Sequence, residues 1–167
     1  MKKFLIVGVF MVFSNFLSAS PDNKIEKWDF FELSLPGPSN GNPFIGIDFT
    51  AEFKQGEKVF QVEGFYDDGG IFKIRFMPDK EGTWTYKTKS NNAELDAKQG
   101  QFECIVPSPN NHGPVRVASD YHFAYADKKP YKQIGTTCYA WIHQTEELEE
   151  QTLKTLSTSP FNKLRMC

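Results

Sequence analysis

Apolar residues on every second position constrain this chain more than any other feature. Ile47, Phe49, Ala51 and Phe53 alternate with Asp48, Thr50, Glu52 and Lys54, the two-residue period of a strand with one face on a core and the other in water. The period recurs at Phe31, Leu33 and Leu35, at Phe60 and Val62, at Phe72, Ile74 and Phe76, at Trp84 and Tyr86, and at Phe102, Cys104 and Val106. Six strands are predicted. Turn-forming runs separate them: Pro36-Gly37-Pro38, Gln55-Gly56, Asp67 to Gly70, Pro78-Asp79 with Gly82, and Gly100. Short strands at this spacing predict an antiparallel, immunoglobulin-like β-sandwich over residues 22–106.

Two aromatic pairs stand out within that region. Trp84 and Tyr86 follow the tight corner Pro78 to Gly82 and read as core rings, each wanting one polar partner that a corner backbone can supply. Trp28 and Phe30 fall on the strand face opposite Phe31, Leu33 and Leu35. Exposed aromatic pairs mark partner surfaces, so these two are expected to dock against a following domain, with glycan binding as the alternative.

After Val106 the pattern changes. Residues 107–114 hold three prolines and a glycine and read as a linker. Beyond it, Val115 to Ala118 and Tyr121 to Ala126 predict a hairpin turned at Ser119-Asp120, and Tyr131 to Thr137 predicts a strand. A helix is expected over Thr145 to Thr158, with Thr145 as N-cap, Leu148, Leu153 and Leu156 on its inner stripe, Glu150 spaced to pair with Lys154, and Pro160 closing it. Phe161 to Cys167 begins another strand. Strand, helix and strand make one βαβ unit whose strands must be parallel. Such a unit alone leaves open edges and bare apolar surface, so residues 115–167 are expected to begin a larger α/β domain that they do not complete.

The chain has 167 residues, too few for a whole enzyme barrel of about 250. A formal net charge of -2 without a Lys/Arg block argues against nucleic acid or an anionic membrane surface as partner. Lys2 and Lys3, the apolar run Phe4 to Phe13, and the small residues Ser18, Ala19 and Ser20 read as an export signal over residues 1–20. Ser14-Asn15 interrupts that run before the roughly 20 apolar residues a membrane helix needs, so a secreted or periplasmic protein, free of the membrane after cleavage, is expected. Cys104, Cys138 and Cys167 are an odd set and do not suggest a disulfide scaffold.

Three segments carry a family resemblance: Glu26 to Leu35 with Gly41-Asn42-Pro43-Phe44, then Gly64-Phe65-Tyr66-Asp67, then Arg75 to Asp79 through Gly82-Thr83-Trp84-Thr85-Tyr86. Together they resemble the N-terminal β-sandwich of bacterial glycoside hydrolases grouped as domain-of-unknown-function family 5060. Asn111 to Val117 and Phe123 to Asp127 resemble the lead-in to their catalytic barrel, and Gly135 to Trp141 resembles its first strand and loop. The resemblance implies a (β/α)8 (TIM) barrel of the large retaining clan, here truncated after its first βαβ unit. In that clan the two catalytic carboxylates close strands four and seven, so no catalytic residue is expected within this chain, and the chain alone is expected to be inactive.

The rim of the implied site remains. Tyr139, Trp141 and His143 follow the first barrel strand, where barrel active sites form. Trp141 would stack on a sugar and His143 would hydrogen-bond a hydroxyl; packing of the loop is the alternative. Asn162 and Arg165 resemble the second-strand pattern, in which the arginine orients the nucleophile. Glu146, Glu147, Glu149 and Glu150 lie on one solvated helix and lack the facing partner that two-carboxylate chemistry needs. Asp67, Asp68 and Asp79 read as turn residues rather than calcium ligands, Cys138 as a packed thiol, and the histidines lack metal-ligand spacing. No metal or cofactor is expected. Two functions follow: the N-terminal part of an exported glycoside hydrolase, its sandwich an accessory domain docked on the barrel, or a secreted carbohydrate-binding or adhesion module. Carbohydrate is the expected partner in both.

Overall fold

The computed structural model describes residues 24–166; the export signal expected over residues 1–20 lies outside them. The chain forms two compact units, which meet in sequence at Asn111 and His112.

The first unit contains β1 (Lys24–Glu26), β2 (Phe31–Pro36), α1 (Pro43–Gly46), β3 (Phe49–Gln55), β4 (Lys58–Glu63), β5 (Phe65–Tyr66), β6 (Ile71–Phe76), β7 (Gly82–Ser90) and β8 (Gln99–Ile105). Five strands form one sheet in the order β1-β8-β7-β3-β4, and β2-β6-β5 form a second. Alternation decides which side chains enter the layer between them. Ala51, Phe53, Ile74 and Trp84 are wholly buried, with Phe31, Phe49, Phe72, Phe76, Phe102 and Cys104 around them. Rings from opposite sheets interlock: Phe31 stacks on Phe102 with centroids 4.4 Å apart, and Phe53 on Phe76 at 4.2 Å. Such pairs add roughly 0.5–1.5 kcal/mol beyond the area they bury.

All six predicted strands are present, and the buried Trp84 finds its expected partner, its indole Nε1 donating to the Lys80 carbonyl at the corner, 2.8 Å away. Several details differ. β1 and β5 were not predicted, because three and two residues are too short to display a period. β1 runs parallel to β8, so the larger sheet is not wholly antiparallel. Val106 lies outside β8 and is exposed, since the strand stops at Ile105 ahead of Pro107. Leu95, from the loop joining β7 to β8, is wholly buried. The Thr88 hydroxyl fixes that loop, donating to the Leu95 carbonyl (2.6 Å) and accepting from the Lys98 N–H (2.8 Å).

The second unit contains a hairpin of β9 (Val115–Ser119) and β10 (His122–Tyr125), then β11 (Gly135–Cys138), a 3-10 turn over Trp141–His143, α2 (Glu146–Ser157) and β12 (Lys163–Met166). β11 and β12 are parallel, pairing Gly135 with Lys163 through Cys138 with Met166. β11 is shorter than the predicted Tyr131 to Thr137. Residues 131–134 are held instead by Asn162: its Oδ1 accepts from the Ile134 N–H (2.9 Å), its Nδ2 donates to the Lys132 carbonyl (2.8 Å), and its own carbonyl accepts from the Tyr131 hydroxyl (3.0 Å). No residue of α2 is buried, and Leu148 and Leu153 of the expected inner stripe are each almost half exposed. Thr145 occupies the N-cap without a side-chain cap bond. Glu150 and Lys154 form no ion pair among the described residues, as solvent screening and side-chain entropy leave an exposed pair of this spacing little to gain.

Candidate functional site

Two sets of sequence-predicted residues lie in different units. In the second unit, Tyr139, Trp141 and His143 follow the C-terminal end of β11. The chain reverses there through Ala140, whose φ of 53° is left-handed. The Ala140 carbonyl accepts from the His143 N–H at 3.1 Å and from the Gln144 side chain at 3.0 Å, which closes the turn. Tyr139 is four-fifths exposed and His143 is exposed. Trp141 is half-buried, and its indole Nε1 donates to the Glu149 carbonyl of α2 at 3.3 Å. Among the described residues the Tyr139 phenol and the His143 imidazole have no side-chain hydrogen-bond partner, while the indole is tied to the helix behind it.

Asn162 immediately precedes β12 and lies beside Ile134 at the start of the β11–β12 pair, the end opposite the turn that carries Tyr139, Trp141 and His143, whereas Arg165 lies toward the C-terminal end of β12. The Asn162 side-chain amide is occupied by the backbone of residues 131–134, as described above. Arg165, opposite Thr137 in β12, is exposed and has no ion-pair partner among the described residues.

In the first unit, Trp28 and Phe30 do not extend β2 as the alternation suggests. Trp28 lies in a turn closed by the Asp29 N–H on the Glu26 carbonyl (3.0 Å). Its φ is 73°, a region costly for a bulky residue and met where surrounding contacts enforce it. Two such contacts hold it. Its N–H donates to the Pro78 carbonyl (2.9 Å), and the Lys27 ammonium sits 4.6 Å from its ring centroid. Phe30 is 55% exposed and has neighbours that sequence reading missed. The Arg75 guanidinium lies 5.7 Å from the Phe30 ring and 5.2 Å from that of Phe65. Arg75 is itself fixed, its Nε donating to Glu32 at 2.7 Å. The pairing of Glu32 with Arg75 across β2 and β6 creates this group, and no local pattern announces a cross-strand register.

Charge on this face is shared. The Arg75 hydrogen bond, then the Lys73 charge, hold the Glu32 carboxyl below its ordinary value, while Asp67 and Glu32 raise the Lys73 ammonium. Near the end of the unit, Glu26 accepts from the Ser108 N–H (3.0 Å) and the Asn111 amide (3.1 Å), which lower its pKa in that order. The proline-rich segment after β8 is thus hydrogen-bonded to the turn that carries Trp28.

Residues 24–91 match the family model described as "Domain of unknown function (DUF5060)". The match runs from β1 through β7. No curated protein matches the chain. Among solved structures, a protein from Bacteroides vulgatus ATCC 8482 described as a "putative glycoside hydrolase" is similar, with 43% identity and a TM-score of 0.79 over 87% of this chain and 28% of that one. The similarity is longer than the first unit and so takes in part of the second. The present chain spans just over a quarter of that protein's length.

Proposed function

We propose that this chain is the N-terminal part of an exported glycoside hydrolase acting on a polysaccharide or oligosaccharide. The 43% identity to the Bacteroides vulgatus protein, extending beyond the DUF5060 segment, carries this reading. In it, residues 1–20 direct export to the periplasm or beyond, residues 22–106 are the accessory sandwich, residues 107–114 connect, and residues 115–167 begin a (β/α)8 barrel. The parallel pairing of β11 and β12 around α2 is the repeating unit of such a barrel, and further units would cover the bare leucines of α2. Both catalytic carboxylates then lie beyond residue 167. Tyr139 and His143 line the rim, Trp141 backs it, and Arg165 waits for a nucleophile carboxylate whose ionised form it would favour. Trp28 and Phe30 form the surface on which the sandwich docks.

Reading the source DNA past the Cys167 codon tests the proposal. The expected result is an open frame with further βα units and acidic residues closing the fourth and seventh strands; a stop codon there overturns it. In the longer protein, Trp28→Ala is expected to lower the melting temperature by exposing the docked surface. An unchanged melting temperature removes Trp28 from that interface.

A further inference from the structure

The outer face of the five-stranded sheet has a cleft of about 580 Å³ lined by Thr50, Glu52, Gln61, Lys87, Lys89 and Asp96, with Thr88 and Ala97 beneath and beside them. Register explains its chemistry. Glu52 stands opposite both Gln61 and Lys87, and Thr50 opposite Lys89, so acceptors and donors interleave at about one strand spacing, roughly 4.8 Å. The loop joining β7 to β8 raises one wall, held by the Thr88 bonds and by Asp96, whose Oδ1 accepts from the Ser90 N–H at 3.0 Å.

Glu52, Gln61, Lys87 and Lys89 are exposed. Among the described residues, Glu52, Lys87, Lys89 and Asp96 have no ion-pair partner. Opposite charges thus face each other across the sheet without pairing, which leaves the side chains of Glu52, Lys87 and Lys89, and the Asp96 oxygen that does not hold the loop, to hydrogen-bond whatever enters. Two carboxylates balance two ammonium groups, so a ligand of single sign meets a like charge wherever it docks. A neutral ligand does not. Among neutral ligands, one with adjacent hydroxyls satisfies this lining, because each hydroxyl donates to a carboxylate or amide oxygen and accepts from an ammonium or amide N–H. The lining carries no aromatic ring, so recognition there rests on hydrogen bonds. The volume lies within the range of small-molecule clefts.

We propose that this cleft binds a neutral glycan chain, at a site separate from the Trp28 and Phe30 surface. The proposal concerns binding by the sandwich itself and does not require a catalytic barrel: a stop codon after Cys167 would end the hydrolase reading and leave this one standing.

Affinity electrophoresis of the purified chain through gels containing hydroxyethylcellulose, xylan, galactomannan or mixed-linkage β-glucan tests it, with polygalacturonate as the anionic comparator. Retardation is expected in at least one neutral gel. Binding should weaken by about tenfold in Lys87→Ala and in Gln61→Ala, the order of one lost hydrogen bond to a charged or amide group, and persist in Phe30→Ala. Lys87 and Gln61 are exposed on the sheet face, so both variants should keep the parent melting temperature, which circular dichroism checks alongside. No retardation in any neutral gel overturns the proposal. So does retardation confined to polygalacturonate, and so does binding that survives both cleft variants or is lost in Phe30→Ala alone.

Discussion

Gly64 sits at a tight point of the sandwich, with no room for a side chain. It lies between β4 and β5, where the chain leaves the five-stranded sheet for the three-stranded one. A Cβ at this position would collide with Phe49 Cδ1 and would sit 2.9 Å from Phe49 Cε1 and 2.8 Å from Ile74 Cγ1. Neither neighbour can retreat. Phe49 is 5% and Ile74 0% exposed, and the Gly64 N–H donates to the Phe49 carbonyl at 2.7 Å, which holds the two backbones together. Adding a methyl to a packed core costs about 1–3 kcal/mol, and the fixed surroundings place Gly64→Ala toward the upper end. For a unit the size of the sandwich, residues 24–111, the loss is about 4–8 °C per kcal/mol, so the melting temperature should fall by roughly 10–20 °C. Near-ultraviolet circular dichroism follows this loss through the buried Trp84. Phe49→Val, which has no δ carbon and so removes the colliding atom, supplies the control: in that background Gly64→Ala should cost about 1 kcal/mol less, a coupling of ordinary size for touching residues. A melting temperature within 1 °C of the parent, or equal costs in both backgrounds, would refute the steric argument.

Two further predictions rest on titration. Burial, followed by the nearby Glu81 charge, pushes the Cys104 thiol up to about 11, and the thiolate is the reactive form. Iodoacetamide at pH 8 should therefore leave Cys104 unmodified in the folded chain and alkylate it in denaturant, as peptide mass mapping will show; equal rates in the two states contradict its burial. Glu26 is held below its ordinary value of 4.5 by the Ser108 N–H and the Asn111 amide. A carboxyl whose folded pKa is depressed stabilises the fold above its unfolded value and loses that contribution as pH falls through the folded one. Glu26→Gln should thus be less stable than the parent at pH 7, and the gap should close as the pH is lowered below 4.5. A gap constant across that range would remove Glu26 as the anchor of Ser108 and Asn111.

Strands with one wet face were legible because alternation writes the two faces directly into the sequence; β3 is the clearest case, with Ala51 and Phe53 wholly buried and the alternating Glu52 and Lys54 exposed. Trp84 was legible because a large amphipathic ring beside a corner needs one acceptor, and the Lys80 carbonyl is there. Features set by distant partners were hidden. Nothing near Leu95 marks a loop residue as core, since its burial depends on the sheet it drops onto. The left-handed Trp28 was read as strand because alternation ignores φ, and the group around Arg75 arises from the register of β2 on β6. The lining of the cleft is drawn from three strands and a loop, so it exists only once the sheet order is known.

The two outer faces of the sandwich handle charge in opposite ways, and this bears on what each can bind. On the three-stranded sheet, Glu32 takes Arg75 at 2.7 Å and Lys73 at 3.4 Å, while Lys73 also pairs with Asp67. These ions satisfy one another, and in doing so they fix Arg75 against Phe30 and Phe65, leaving ring surface as what the face has to offer a partner. Aromatic surface backed by immobilised charge suits contact with another protein surface, because the cost of ordering the long side chains has already been met within the free domain. On the five-stranded sheet the cleft's Glu52, Lys87, Lys89 and Asp96 have no ion-pair partner among the described residues, so a polar ligand meets charged donors and acceptors that no opposite charge has already taken. An accessory domain that grips a catalytic neighbour with one face and a sugar chain with the other would need this asymmetry. The Phe30→Ala and Lys87→Ala variants separate the two faces, since each should impair one interaction and spare the other.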